Sequence, residues 1–166
     1  MTPAQPSQSA KADELSDETI YYNDLAHHIS PQSAKRSSHG LGSEAVRGLN
    51  VKAALSRVSG HEHIYLRVLA NFMASYSAKT VAELVSLAQA ADFSGLRMAA
   101  HSLKGVAATI GADELAGMAK ELEDAARGGA HDIIQQKLPA IEEQLLIILA
   151  SVAGILDQHN IPYPKD

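Results

Sequence analysis

Cysteine is absent from the 166 residues, tryptophan is absent too, and aromatic residues amount to 4%. Without cysteine there are no disulfides and no thiolate metal sites, which suits a reducing compartment. Few aromatics beside abundant Ala and Leu argue against a β-rich fold. No run approaches the ~18 uninterrupted apolar residues of a membrane span. No basic flank leads into an apolar run near the N-terminus, so neither a span nor a signal peptide is expected. Concentrated Lys and Arg are also missing. With a formal charge of −5, nucleic acid is a poor partner, because phosphate binding rests on basic clusters. What is present is a chain 46% hydrophobic and 20% charged. That is enough for one domain with a sizeable core and some residues to spare.

Residues 1–47 are rich in Ser, Pro, Gln and Gly and poor in large aliphatics. Such a segment buries too little apolar surface to offset its ordering entropy, so it reads as a flexible tail or linker. A short helical turn is expected near Ile20 to Ala26. From residue 48 the pattern becomes helical through to residue 158, and residues 159–166 read as a C-terminal tail. The short segment "NVKAALSRV" comes first. "HEHIYLRVLANFMASYS" places Tyr65, Leu66, Leu69, Phe72, Met73 and Tyr76 at three-and-four spacing, and Val81, Leu84, Val85 and Ala88 continue the pattern in the next segment. "DFSGLRMAAHSLKGVAATIG" follows, with Asp92 as its N-cap and Gly111 as its stop. "ADELAGMAKELEDAARGG" carries Leu115, Met118, Leu122 and Ala125. The last segment has the stripe Ile134, Leu138, Ile141, Leu145, Ile148, Val152 and Ile155, with a kink or restart expected at Pro139. Short connections make neighbouring helices antiparallel, so the expected fold is an all-α, up-and-down four-helix bundle with one or two short accessory helices.

The helix of "AAHSLKGVAATIGA" carries a His, a Lys and a Gly within five positions. At ~100° per residue, Leu96, Ala99, Leu103, Val106, Ala107 and Ile110 fall on the side opposite His101 and make the buried stripe. Ser94, Arg97, Met98, Lys104, Gly105 and Ala108 lie within about 60° of it. His101 therefore faces away from the core, between Arg97 and Lys104. Two cations beside a histidine disfavour imidazolium. A helix selected for stability alone would carry Ala at position 105, gaining roughly 1 kcal/mol. Both features make sense for a neutral imidazole that later gains negative charge. Phosphorylation would supply that charge, Lys104 would pair with phosphoryl oxygens, and Gly105 would let a partner approach closely.

"AHSLKGVAATIGA" strongly resembles the signature of histidine-containing phosphotransfer (HPt) domains of bacterial phosphorelays, roughly H-x-L-K-G-x-(small)-(small)-x-(aliphatic)-G. His101, Leu103, Lys104, Gly105, Ala107, Ala108, Ile110 and Gly111 fit it. Val106 stands where Ser or Ala is frequent, and Thr109 where Asn is common. The resemblance covers about residues 48–156. It implies phosphorylation of His101, supported by Lys104 and Gly105 with Arg97 alongside. It implies a phosphoryl carrier without kinase activity, which takes the group from a receiver-domain aspartate and passes it to a response regulator. The arrangement suits a free-standing monomer or the C-terminal part of a hybrid sensor histidine kinase, in the cytoplasm. No cofactor of its own is expected, since the receiver supplies Mg²⁺ and the catalytic carboxylates. Met98 and Ala108 are expected in the docking surface.

Attack through one ring nitrogen needs a hydrogen-bond partner on the other. A residue on the following helix, about ten positions past the turn at Gly111, would lie opposite His101. Glu123 or Lys120, at the edge of that helix's inner stripe, fits best. The run "KELEDAAR" otherwise reads as a solvated face. A helical interaction module that binds a receiver without relaying phosphate is the alternative. Metal binding has little to stand on: His61 and His63 are two apart and do not share a helix face, and His27–His28 has no partner at ligand spacing.

Overall fold

The computed structural model describes residue 41 and residues 45–165. The turn expected near Ile20 to Ala26 and the His27–His28 pair lie outside the described residues. Among the described residues there are six helices and no strand: α1 (Val51–Arg57), α2 (Glu62–Ser75), α3 (Ala78–Gln89), α4 (Phe93–Ile110), α5 (Asp113–Gly128) and α6 (His131–Gln158). Helices α3 to α6 close a ring of neighbours, α3 on α4, α4 on α5, α5 on α6 and α6 back on α3. This is the antiparallel four-helix bundle that short connections impose. The α1 and α2 helices are accessory, although α2, at 14 residues, is not short.

Local chemistry accounts for where the helices begin. The Asn50 side chain accepts from the Ala53 N–H at the start of α1. Ser77 and Thr80 form a capping box at α3. Asp92 accepts from the Gly95 N–H, as its N-cap position predicts. The α6 stripe expected from the sequence, Ile134 through Ile155, is buried along its length.

Of the kink or restart expected at Pro139, the restart does not occur, and α6 runs uninterrupted for 28 residues. Pro139 is solvent-exposed, so the ring and the backbone bond it forfeits fall on the wet side, where water can serve the freed carbonyl. Some residues outside the span 48–158 are also packed. Leu41 is buried and its N–H donates to Glu62 Oε1 at 3.0 Å. Beyond α6, Ile161 is buried, while Tyr163 and Lys165 both bind Asp157. Packing therefore extends past both assigned tail boundaries. By length and composition alone α6 could cross a membrane, but its apolar stripe is the wall on which α2, α3 and α5 pack.

The α4–α5 turn is braced by residues from outside the two helices it joins. A helix leaves its last carbonyls without internal partners. Here other elements supply the donors. The Asn50 N–H bonds Gly111 O at 2.7 Å, buried Tyr65 OH bonds Ile110 O at 2.8 Å, and an Arg57 guanidinium N–H bonds Ala108 O. Burial raises the Tyr65 hydroxyl well above its ordinary pKa, and nearby Arg57 only partly opposes this. Tyr65 thus stays a neutral donor. Gly111 sits at φ +85°, and a Cβ there would lie 2.6 Å from Asn50 O. Only glycine permits both the left-handed cap and the close crossing. The α4–α5 pairing is the most extensive in the bundle, and this turn sets its register.

Candidate functional site

The buried side of α4 is Leu96, Ala100, Leu103, Ala107 and Ile110. Ala99 and Val106, expected in that stripe, are half-buried, and Ala100 takes the inner place. The stripe is rotated slightly from the sequence estimate, because α5 covers α4 from one side. His101 remains on the opposite face, its side chain 67% exposed.

The α5 helix brings one residue under that face. Glu123 follows His101 by 22 residues, and its Oε1 lies 3.1 Å from His101 Nδ1. The residue is only 6% exposed, so the "KELEDAAR" run is not uniformly solvated. Glu123 borders Leu122 and Ala126 on the inner side of α5, and a buried carboxylate requires compensating donors. It has three. Lys104 Nζ donates to Oε2 at 2.7 Å, His101 faces Oε1, and Arg127 Nη2 donates to Oε1 at 3.2 Å. Lys104 and His101 hold the carboxyl well below its ordinary 4.5, at about 2, with the Lys104 hydrogen bond contributing most and that of His101 next.

That carboxylate decides the histidine tautomer. Lys104 Nζ also lies 3.4 Å from His101 Nδ1 and could donate to a bare nitrogen. The shorter contact is to an ionised carboxylate, which can only accept. Nδ1 therefore carries the proton, and in the neutral imidazole the lone pair lies on Nε2. Lys120 is elsewhere. It pairs with Asp124 at 3.1 Å, one turn along its own helix, because it lies on the solvent side of α5, away from α4. The sequence reading did not single out Arg127. Its position four residues after Glu123, on the same face, is the signal that could have found it.

Arg97, Met98 and Ser102 join His101 and Glu123 around a shallow depression of about 290 Å³. Met98 is 64% exposed, an unusual degree for a large apolar side chain. Ala108 is half-buried and its carbonyl is occupied by Arg57. A Cβ on Gly105 would meet nothing within 4 Å, so nothing among the described residues requires glycine there. Thr109 Oγ1 turns back to the Gly105 carbonyl at 2.9 Å.

Residues 67–151 match the family model of the Hpt domain. The chain belongs to the Hpt domain family. No curated protein and no solved structure gave a match. The matched stretch runs from within α2 to within α6, narrower than residues 48–156, and it includes both His101 and Glu123. Hpt domains are histidine phosphocarriers of phosphorelays and partner receiver domains. In this HPt domain, two of the other described histidines are neighbours. His61 and His63 do meet, edge to face with ring centroids 5.7 Å apart. His61 is the extended N-cap residue of α2 and so is not bound by helical spacing. Among the described residues, no three His, Cys, Asp or Glu side chains form a metal-binding group.

Proposed function

We propose that His101 accepts a phosphoryl group from the phosphoaspartate of a receiver domain and passes it to a response regulator. The observation that carries this reading is the 3.1 Å contact between His101 Nδ1 and Glu123 Oε1, made by a side chain that is otherwise exposed. Nε2 attacks phosphorus in line. The Nε2–P bond forms as the P–O bond to the aspartyl carboxylate breaks, and the bonding pair leaves on that carboxylate. Positive charge develops on the ring, and Glu123 stabilises it through the Nδ1 proton. The chain thus contributes a positioned nucleophile. The receiver contributes Mg²⁺ and its own carboxylates, and this HPt domain needs no cofactor and has no kinase activity.

Lys104 supplies the cation for the transferred group, and Arg97 is a second cation at the rim of the depression. Exposed Met98 gives the apolar part of the docking face, and Gly105 gives clearance beside the histidine. The setting is a cytoplasmic phosphorelay.

The test is transfer of a labelled phosphoryl group from a phosphorylated receiver. Wild type should acquire acid-labile, base-stable label, and His101→Gln should acquire none while keeping its melting temperature. Label on His101→Gln would remove the assignment. Receiver binding by wild type without any label would favour an interaction module.

A further inference from the structure

Lys104 is not free in the resting site. Its ammonium is committed to Glu123 Oε2 at 2.7 Å. A phosphoryl group on His101 adds a charge of about −1.5 to −2 and needs a cation. If Lys104 answered that need alone, it would strip one oxygen of a nearly buried carboxylate of its partner, an unfavourable state. The neighbouring residues offer a way around this. Arg127 bridges two carboxylates, with Nη2 on Glu123 Oε1 at 3.2 Å and Nη1 on Asp124 Oδ1 at 2.9 Å. Asp124 has a second partner, Lys120 Nζ on Oδ2 at 3.1 Å. Arg127 can therefore leave Asp124 without orphaning it. A guanidinium fork matches both oxygens of one carboxylate, which an ammonium cannot.

We propose that Arg127 is a positioning residue that releases Lys104 for phosphotransfer. Lys104 passes from Glu123 to the phosphoryl oxygens, Arg127 closes on both oxygens of Glu123, and Lys120 keeps Asp124 paired. Each anion retains a cation throughout. The motion is confined to two exposed or half-exposed side chains, Lys104 and Arg127, with α4 and α5 unmoved. Lys104 needs only to swing across one imidazole ring, within reach of its flexible four-carbon stem. The inference rests on His101 being the phosphoryl acceptor.

The donor for the test is phosphoramidate, which needs no partner protein. Nε2 attacks phosphorus, the P–N bond breaks, and its electron pair leaves on ammonia that is already protonated in the donor. The initial rate of phosphorylation at His101 is read by mass spectrometry with site mapping on the 166-residue chain. Arg127→Ala should slow the rate about fivefold, because Glu123 then holds Lys104 more firmly, whereas Glu123→Gln/Arg127→Ala should match Glu123→Gln within about twofold. Arg127→Lys should fall between wild type and Arg127→Ala. The ¹⁵Nζ resonance of Lys104 should shift on phosphorylation in wild type and much less in Arg127→Ala. Equal slowing in both backgrounds, or no slowing at all, overturns the hand-over and leaves the role of His101 intact. A wild-type chain that gains no phosphoryl group at His101 overturns both readings. Melting temperatures separate these outcomes from unfolding, and Arg127→Gln repeats the charge removal should the alanine variant lose its fold.

Discussion

Gly105 within α4 and Gly111 at its turn show two different uses of the same residue. Gly111 is buried under Asn50 at φ +85°, and a Cβ there would collide with backbone. Gly105 is helical and exposed, and a Cβ there would touch nothing in the chain. The regions around them differ likewise. The turn is tied by Asn50, Arg57 and Tyr65, which satisfy the terminal carbonyls of α4. The His101 face holds a charged cluster, an exposed methionine and open space. One end of the helix is committed to the fold, and one side of its middle stays open. The braced turn sets the register of α4 on α5, and that register brings Glu123 to His101.

Breaking the committed region should have the largest effect. Gly111→Ala combines a left-handed backbone with a contact of 2.6 Å, and should lower stability by about 2–4 kcal/mol, measured by denaturant unfolding. An unchanged midpoint would show that the turn can open at little cost. On the open side, Glu123→Gln should slow phosphotransfer by roughly tenfold, because a neutral amide stabilises the developing ring charge less well than a carboxylate. The same variant should change the acid limb of stability. The folded carboxyl titrates at about 2 against an ordinary 4.5, so the unfolded chain binds more protons in that window. The stability it contributes is present above about pH 4.5 and is lost as pH falls toward 2. Wild type should therefore lose more stability over that range than Glu123→Gln, in paired unfolding titrations. Parallel curves would contradict the ion-pair account.

Gly105→Ala sharpens the comparison by reversing its sign. It should stabilise the fold by roughly 0.5–1 kcal/mol and weaken receiver docking, read by calorimetry alongside thermal unfolding. A variant both more stable and equally tight would deny the glycine any role in clearance. Lys120→Ala should have the smallest effect, under about 0.5 kcal/mol for an exposed pair. The Nδ1 chemical shift of His101 should stay in place, since Lys120 binds Asp124.

Much of the bundle is legible in the chain. Leu96, Leu103, Ala107 and Ile110 recur at helical spacing, as do Ile134 through Ile155, and both sets are buried. Asp92 and Gly111 bound α4 because a carboxylate cap and a left-handed cap are local devices. Ala100 and Ala99 exchange places because the rotation of α4 depends on which side α5 covers. Pro139 reads as a kink or a restart, yet only the packed helix shows that it lies on the solvent side. Lys120 and Glu123 are both polar residues at the edge of an apolar stripe, and spacing cannot separate them.

The sequence by itself determined the helices, their caps, the apolar faces and the placing of His101, Lys104 and Gly105 on one exposed surface. All of these follow from interactions within a few residues, or from the period of the α-helix. Tertiary structure alone decided that Glu123 is buried and that it accepts from Lys104 and His101 of the neighbouring helix. Those facts depend on the register between two helices. That register is set at a distance, where α1 and α2 close over the α4–α5 turn.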